Sequence, residues 1–310
     1  MEKGGFFMPR KIKIDNKNTQ TIQEGFKEFL RSREVKNESI YTTKYYQNII
    51  VNFSKFQDLS MQLHEVDKRL IEDYIIYLRD KNLAGRTIFD YVTGLMTMLY
   101  YLMELELLIP FKIKRPKYEK ALKETYTDAE LRLLLEKPKK GYNFTDFRDW
   151  TIINFFIGTG VRLNTLINIK IGDLNLDEGI FALRIVKNRK PTILPISQTL
   201  VIILKKYLKL RRGDETDYLF CNATGGQITR SGITDAVRFY NKNRGVNKTS
   251  IHAFRHTFAK KYLMSGGDVF RLQRLMCHKD LNSTKEYLSM NLTDLMNEYD
   301  NLNPLEQLQK

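Results

Sequence analysis

His252-Ala253-Phe254-Arg255-His256-Thr257-Phe258 is the stretch on which the reading of this chain turns. It opens a helical pattern over 253–265 and sets His252 and Arg255 three residues apart. Four further features stand around it. Upstream, Gly158-Thr159-Gly160-Val161-Arg162 reads as a glycine turn that places an arginine at a helix start. Between them, Lys187 sits in the basic turn Lys187-Asn188-Arg189-Lys190-Pro191. Downstream, Cys277-His278 follows an amphipathic helical pattern over 268–276. Tyr287 comes nine residues beyond His278, within Ser283-Thr284-Lys285-Glu286-Tyr287. Each feature alone is common, and each has a bland explanation as a surface or core residue. Their order and spacing together are specific.

The rest of the composition narrows the partner. The 310 residues carry 51 Lys+Arg against 36 Asp+Glu, a net charge of +15. An excess of that size suits a polyanion, either nucleic acid or an anionic membrane surface. No apolar run approaches the ~18 residues of a membrane helix, and the segment MEKGGFFMPRKIKI is too polar for a secretory signal. Nucleic acid therefore leads as partner, with a cytoplasmic location and no membrane. The two cysteines, Cys221 and Cys277, fit neither a disulfide framework nor a paired metal spacing. No metal or other cofactor is expected. His64 lies in a polar stretch and reads as a surface residue.

The periodicity divides the chain in two. Residues 1–18 read as a basic flexible arm. Thr21 and Glu24 have capping-box spacing, followed by Ile22, Phe26, Phe29 and Leu30 at helical intervals. Three more helices are expected through Tyr41–Phe53, Leu70–Leu78 and Ile88–Leu102, which gives a helical domain over 19–109. Residues 110–125 hold two prolines and many lysines and read as a linker. Its Lys112, Lys114, Arg115 and Lys117 suit a strap along a phosphate backbone, as do Arg189 and Lys190 in the later turn. A second capping box, Thr127 to Glu130, opens a domain over 126–310 with a tail from 288. Helical patterns are expected at 128–136, 144–158, 199–211, 230–243, 253–265, 268–276 and 283–289. A β-hairpin is expected from Ile180–Val186 and Thr192–Ile196. The class is mainly α with a small β-sheet or hairpin in the second domain.

The five features make chemical sense as one site. Two arginines, Arg162 and Arg255, can clamp the non-bridging oxygens of a phosphodiester by bidentate charge-assisted bonds. They would stabilise the charge that grows in a pentavalent transition state. His278 can donate to the same oxygens. A tyrosine hydroxyl, with its usual pKa of about 10, needs a base or a strongly positive site to attack. His252 suits the base, and Lys187 suits the proton donor to the leaving 5′ oxygen.

This arrangement resembles the tyrosine recombinase (phage integrase) family, in its compact two-domain form like the Xer-type and transposon integrases. In that family the catalytic set runs Arg, Lys, His-x-x-Arg, His or Trp, Tyr. Position by position, these fall on Arg162, Lys187, His252 and Arg255, His278 and Tyr287. Two positions depart: the family's Glu three after the first arginine is Thr165 here, and its Gly before the later histidine is Cys277. The resemblance implies an N-terminal SAM-like core-binding domain and a catalytic domain that clamp duplex DNA. It implies cleavage and rejoining through a 3′-phosphotyrosine without metal or ATP, and a homo-tetramer on two DNA sites. It also implies accessory bending or directionality factors, and an apolar tail (Leu292, Leu295, Met296, Tyr299, Leu302) that docks on a neighbouring protomer. Three other readings remain open from sequence. One is a type IB topoisomerase-like enzyme and one a non-catalytic DNA-binding protein of the same fold. The third is a metal-dependent nuclease around Asp146 and Asp149.

Overall fold

The computed structural model describes residues 20–119, 123–139, 141–183 and 192–277. The chain divides into two compact units, residues 1–121 and 122–310.

The first unit is helical. Helix α1 (Ile22–Val35) starts at the Thr21 capping box, where Thr21 Oγ1 accepts from the Glu24 amide at 3.2 Å and Glu24 Oε2 accepts from the Thr21 amide at 2.8 Å. Helix α2 (Ile40–Phe53) is capped by Ser39, and α3 (Lys68–Asp80) by Asp67. Helix α4 (Gly85–Glu104) completes the set and packs against the other three. Most residues expected from periodicity form the core: Ile22, Phe29, Phe53, Ile71, Tyr74, Leu78, Val92 and Leu102 are all buried, whereas Tyr41 and Tyr45 of α2 are exposed. Gly94 lets α4 approach α2 closely, since a Cβ there would lie 1.8 Å from Ile49 Cδ1. His64 lies exposed in a single short turn of helix.

The segment after α4 is more ordered than a solvated linker. Ile113 is buried in the helical core and Phe111 packs on it. The Tyr118 ring packs against Phe89 in a tilted arrangement, centroids 5.0 Å apart, and its hydroxyl accepts from Arg86 Nη1 at 2.5 Å. Lys112, Lys114, Arg115 and Lys117 are all exposed. The anchoring residues point inward and the cations outward.

The second unit is built around α6 (Phe144–Thr159), which packs on α5 (Asp128–Leu135), α8 (Gln198–Arg211), α9 (Arg230–Asn243) and α10 (Ile251–Met264). Phe147, Trp150, Ile152, Ile153, Phe155 and Phe156 bury α6 on all sides, as expected of a central helix. The short α7 (Leu163–Leu166) follows it, and α11 (Val269–Leu275) packs against α10.

The small sheet is antiparallel in the order β1 (Leu174–Asn175), β2 (Ile180–Leu183), β3 (Thr192–Pro195). Ile180 pairs with Pro195 and Leu183 with Thr192. Alternation sends Phe181, Leu183 and Leu194 into the core. Strand β1 was not anticipated, because two residues are too short for any periodicity to register, whereas the helix start expected at Arg162 is the N-cap of α7. The expected helix at 283–289 and the tail from 288 lie outside the described residues.

Candidate active site

Helix α6 ends because Gly160 turns left-handed, with φ +63°, and its amide caps Phe156 O at 2.9 Å. Only glycine fits there. A Cβ would meet the Phe258 ring at 2.3 Å, and the backbone conformation is unfavourable to other residues. The turn delivers Arg162 to the N-cap of α7, exposed to solvent. Arg255 comes from the second turn of α10 and is buried, at 6% exposure.

The two guanidinium groups converge on one backbone oxygen. Arg255 Nη2 donates to Met276 O at 2.7 Å, and Arg162 Nη1 donates to the same oxygen at 3.3 Å. Arg162 also reaches Cys277 O at 3.5 Å, and Arg255 Nη1 donates to Gly160 O at 2.5 Å. Residues 93 positions apart in sequence are thus held at one point by carbonyls at the ends of α6 and α11. Carbonyl partners orient a guanidinium without cancelling its charge.

His252 lies in the first turn of α10, exposed to solvent. Partial desolvation, then the nearby Arg255, Arg230 and Arg162 in that order, hold its pKa below the ordinary imidazole value. A depressed pKa keeps the ring neutral near pH 7, the state in which it can accept a proton.

Arg230 is a member of this positive cluster that the sequence reading missed. It is the first residue of α9, exposed, just after the Thr229 cap. An arginine after a threonine cap is too common a pattern to single out from sequence.

Cys277 takes a left-handed backbone conformation, with φ +49°. That explains in physical terms why a glycine suits this position. Burial raises its thiol pKa, although Arg162 and Arg255 pull the other way. Thr165 lines a cavity of about 210 Å³ with Asn168, Lys170, Asp173 and Leu183.

The structure therefore brings Arg162, His252 and Arg255 together. Lys187, His278 and Tyr287 lie outside the described residues, as do Arg189 and Lys190. The two carboxylates considered for a metal-dependent reaction have other partners. Asp146 closes a capping box with Asn143, and Asp149 pairs with Arg148 at 2.7 Å. Among the described residues, no three metal-ligating side chains cluster. Among them, too, no helix is long and apolar enough to cross a membrane.

The sequence matches the phage integrase family over residues 124–293 and the phage integrase SAM-like domain over 16–109. The chain belongs to the phage integrase family. It is 29% identical to a tyrosine recombinase XerC of Thermodesulfovibrio yellowstonii, over 94% of this chain and 98% of the relative. It is likewise 29% identical to a tyrosine recombinase XerD of Staphylococcus haemolyticus, over 77% of this chain and 83% of the relative. Among solved structures it resembles the Tn1549 transposon integrase in complex with a circular intermediate DNA. That match has a TM-score of 0.74 at 19% identity and covers 91% of this chain and 99% of the other.

Proposed function

We propose that this chain is a site-specific DNA recombinase that cleaves and rejoins double-stranded DNA through a phosphotyrosine. The observation that carries the proposal is the shared carbonyl of Met276, which gathers Arg162 and Arg255 beside His252. Two adjacent guanidinium groups suit a phosphodiester, whose non-bridging oxygens accept bidentate charge-assisted bonds. The XerC- and XerD-named relatives and the DNA-bound structural neighbours support DNA as the partner.

The reaction follows from the residues. Arg162 and Arg255 bind the non-bridging oxygens and stabilise the added charge of the transition state. The Tyr287 hydroxyl oxygen attacks phosphorus as His252 accepts its proton. The bond from phosphorus to the 5′ oxygen breaks, and that oxygen takes a proton from Lys187. His278 donates to the same phosphate. The product is a 3′-phosphotyrosine and a free 5′ hydroxyl, and attack by a 5′ hydroxyl from another strand runs the steps in reverse. Bond energy is conserved in the ester, so neither ATP nor a metal takes part.

In this reading residues 19–109 are a core DNA-binding domain and 126–310 the catalytic domain. The exposed Lys112, Lys114, Arg115 and Lys117 contact phosphates, joined by Arg189 and Lys190. Four copies act on two sites.

The test is direct. Cells expressing the tagged chain are lysed in denaturant without a crosslinker, and DNA that stays bound to the protein is sequenced. The wild type should carry DNA ends at defined positions, and Tyr287→Phe should carry none. Equal recovery from both proteins would overturn the proposal.

A further inference from the structure

The helix that carries His252 and Arg255 has a weak beginning. Its N-cap, Ser250, makes no side-chain capping bond, whereas α1, α5, α6, α8 and α9 are all capped by side chains. Four orphan amides at a helix start call for other restraint. The segment 125–130, at the head of the second unit, supplies it.

Tyr126 is the centre of that restraint. It is buried, at 3% exposure, with its ring stacked 4.2 Å from Phe254, which in turn stacks on Phe156 of α6. Its amide donates to Thr257 Oγ1 at 2.8 Å. Its hydroxyl faces Ser250 O at 3.2 Å and Lys248 O at 3.4 Å, and accepts from Asn241 Nδ2 at 3.0 Å. Burial raises the phenol pKa far above neutrality, so it remains a hydrogen-bond donor. Two ion pairs flank it: Glu130 with Lys248 at 2.9 Å, and Asp128 with Lys261. Lys248 Nζ also donates to Thr125 O at 3.0 Å. One residue thus touches α10 on both sides of its functional turn. It touches Ser250 two residues before His252, Phe254 one before Arg255, and Thr257 two after it.

We propose that Tyr126 is a positioning residue for the recombination chemistry, holding the first two turns of α10 so that His252 and Arg255 meet the phosphate at fixed geometry. It touches no reacting atom and acts through α10 alone. The inference rests on the proposed function for its kinetic consequence, but its structural consequence can be read without DNA.

Tyr126→Phe keeps the ring stack and the amide bond and removes only the hydroxyl. Two readouts in the full-length protein separate the outcomes. The first is the NMR titration of the His252 ring proton in free protein. Arg255 on its own helix, Arg230 on α9 and Arg162 at the α6–α7 turn all face this ring. A loosened helix start hydrates the ring, so its pKa should rise toward the ordinary imidazole value. The second is single-turnover cleavage of a nicked duplex made from the site recovered by covalent mapping. The rate should fall about 10- to 100-fold, as expected of a misplacement near 1 Å, while DNA affinity stays within about twofold. An unchanged His252 titration together with an unchanged rate would overturn the proposal. So would a rate loss that merely tracks the unfolded fraction in a urea titration of the same variant. If the wild type itself fails to cleave, the recombinase reading fails, and the NMR titration still decides the positioning role.

Discussion

Replacing Gly160 by alanine tests how the site is built. The residue sits at φ +63°, and its new Cβ would stand 2.3 Å from Phe258 Cδ1 and 2.9 Å from Cγ. The left-handed conformation costs an alanine about 1–2 kcal/mol. Displacing the Phe258 ring adds about 1–3 kcal/mol, the usual range for an overfilled interior. The expected loss is therefore about 2–5 kcal/mol, read as a lowered urea midpoint with an unchanged slope. A double-mutant cycle with Phe258→Ala separates the two contributions. The steric part, about 1–3 kcal/mol, should appear as coupling, and the backbone part should remain. Gly160 O also accepts from Arg255 Nη1, so cleavage in native conditions should fall further than DNA occupancy. A destabilisation under about 0.5 kcal/mol, or a coupling of zero, would refute this account of the turn.

Other outcomes follow from the same geometry. Arg162→Ala and Arg255→Ala should each lower the cleavage rate at least about 100-fold, the scale set by removing one transition-state donor, with DNA retention measured by gel shift. The pKa of His252 is depressed, so the ring stays neutral down to its ordinary value of 6.5 and gains its proton only below it. The acid limb of the pH–rate profile should therefore lie below pH 6.5, and Arg230→Ala should move it upward. Stability carries the same sign: the His252 contribution is intact above pH 6.5 and declines as pH falls through the folded value. Cys277→Gly suits the φ of +49° and should preserve cleavage, whereas Cys277→Val should abolish it by turning the Met276 carbonyl away from both arginines. Replacing Lys112, Lys114, Arg115 and Lys117 together by alanine should flatten the salt dependence of DNA binding, by about 0.9 for each phosphate no longer neutralised. Strand cleavage should persist in EDTA, and a strict magnesium requirement would contradict the metal-free chemistry.

Much of this architecture was legible in the sequence because its signals are local. Thr21 with Glu24 and Thr127 with Glu130 form both capping boxes where the spacing places them. Most of the apolar intervals from Ile22 to Leu102 return as one buried core, with Tyr41 and Tyr45 the exceptions. The antiparallel pairing of β2 with β3 falls within the two apolar runs expected to form a hairpin. What escaped the reading depends on contacts between distant segments. Nothing in the linker's lysine-rich composition reveals that Ile113 is buried against the helical core. No motif marks Tyr126, whose partners lie 115 to 131 residues away. Arg230 acts through its distance to His252, a quantity that one-dimensional spacing does not contain. Of the site itself, the order of Arg162, His252 and Arg255 was readable. The carbonyl of Met276 that gathers the two arginines was not, because a backbone oxygen carries no sequence signature.

The most direct measurement is mass spectrometry of the covalent adduct after nuclease and trypsin digestion. The peptide that follows Lys285 contains both Tyr287 and Tyr299, and fragmentation distinguishes them. A nucleotide joined through its 3′ phosphate to the Tyr287 oxygen, with a free 5′ hydroxyl on the other fragment of the cleaved strand, is the expected result. A nucleotide on Tyr299 or on any other side chain, or joined through its 5′ end, would contradict the assignment of the nucleophile.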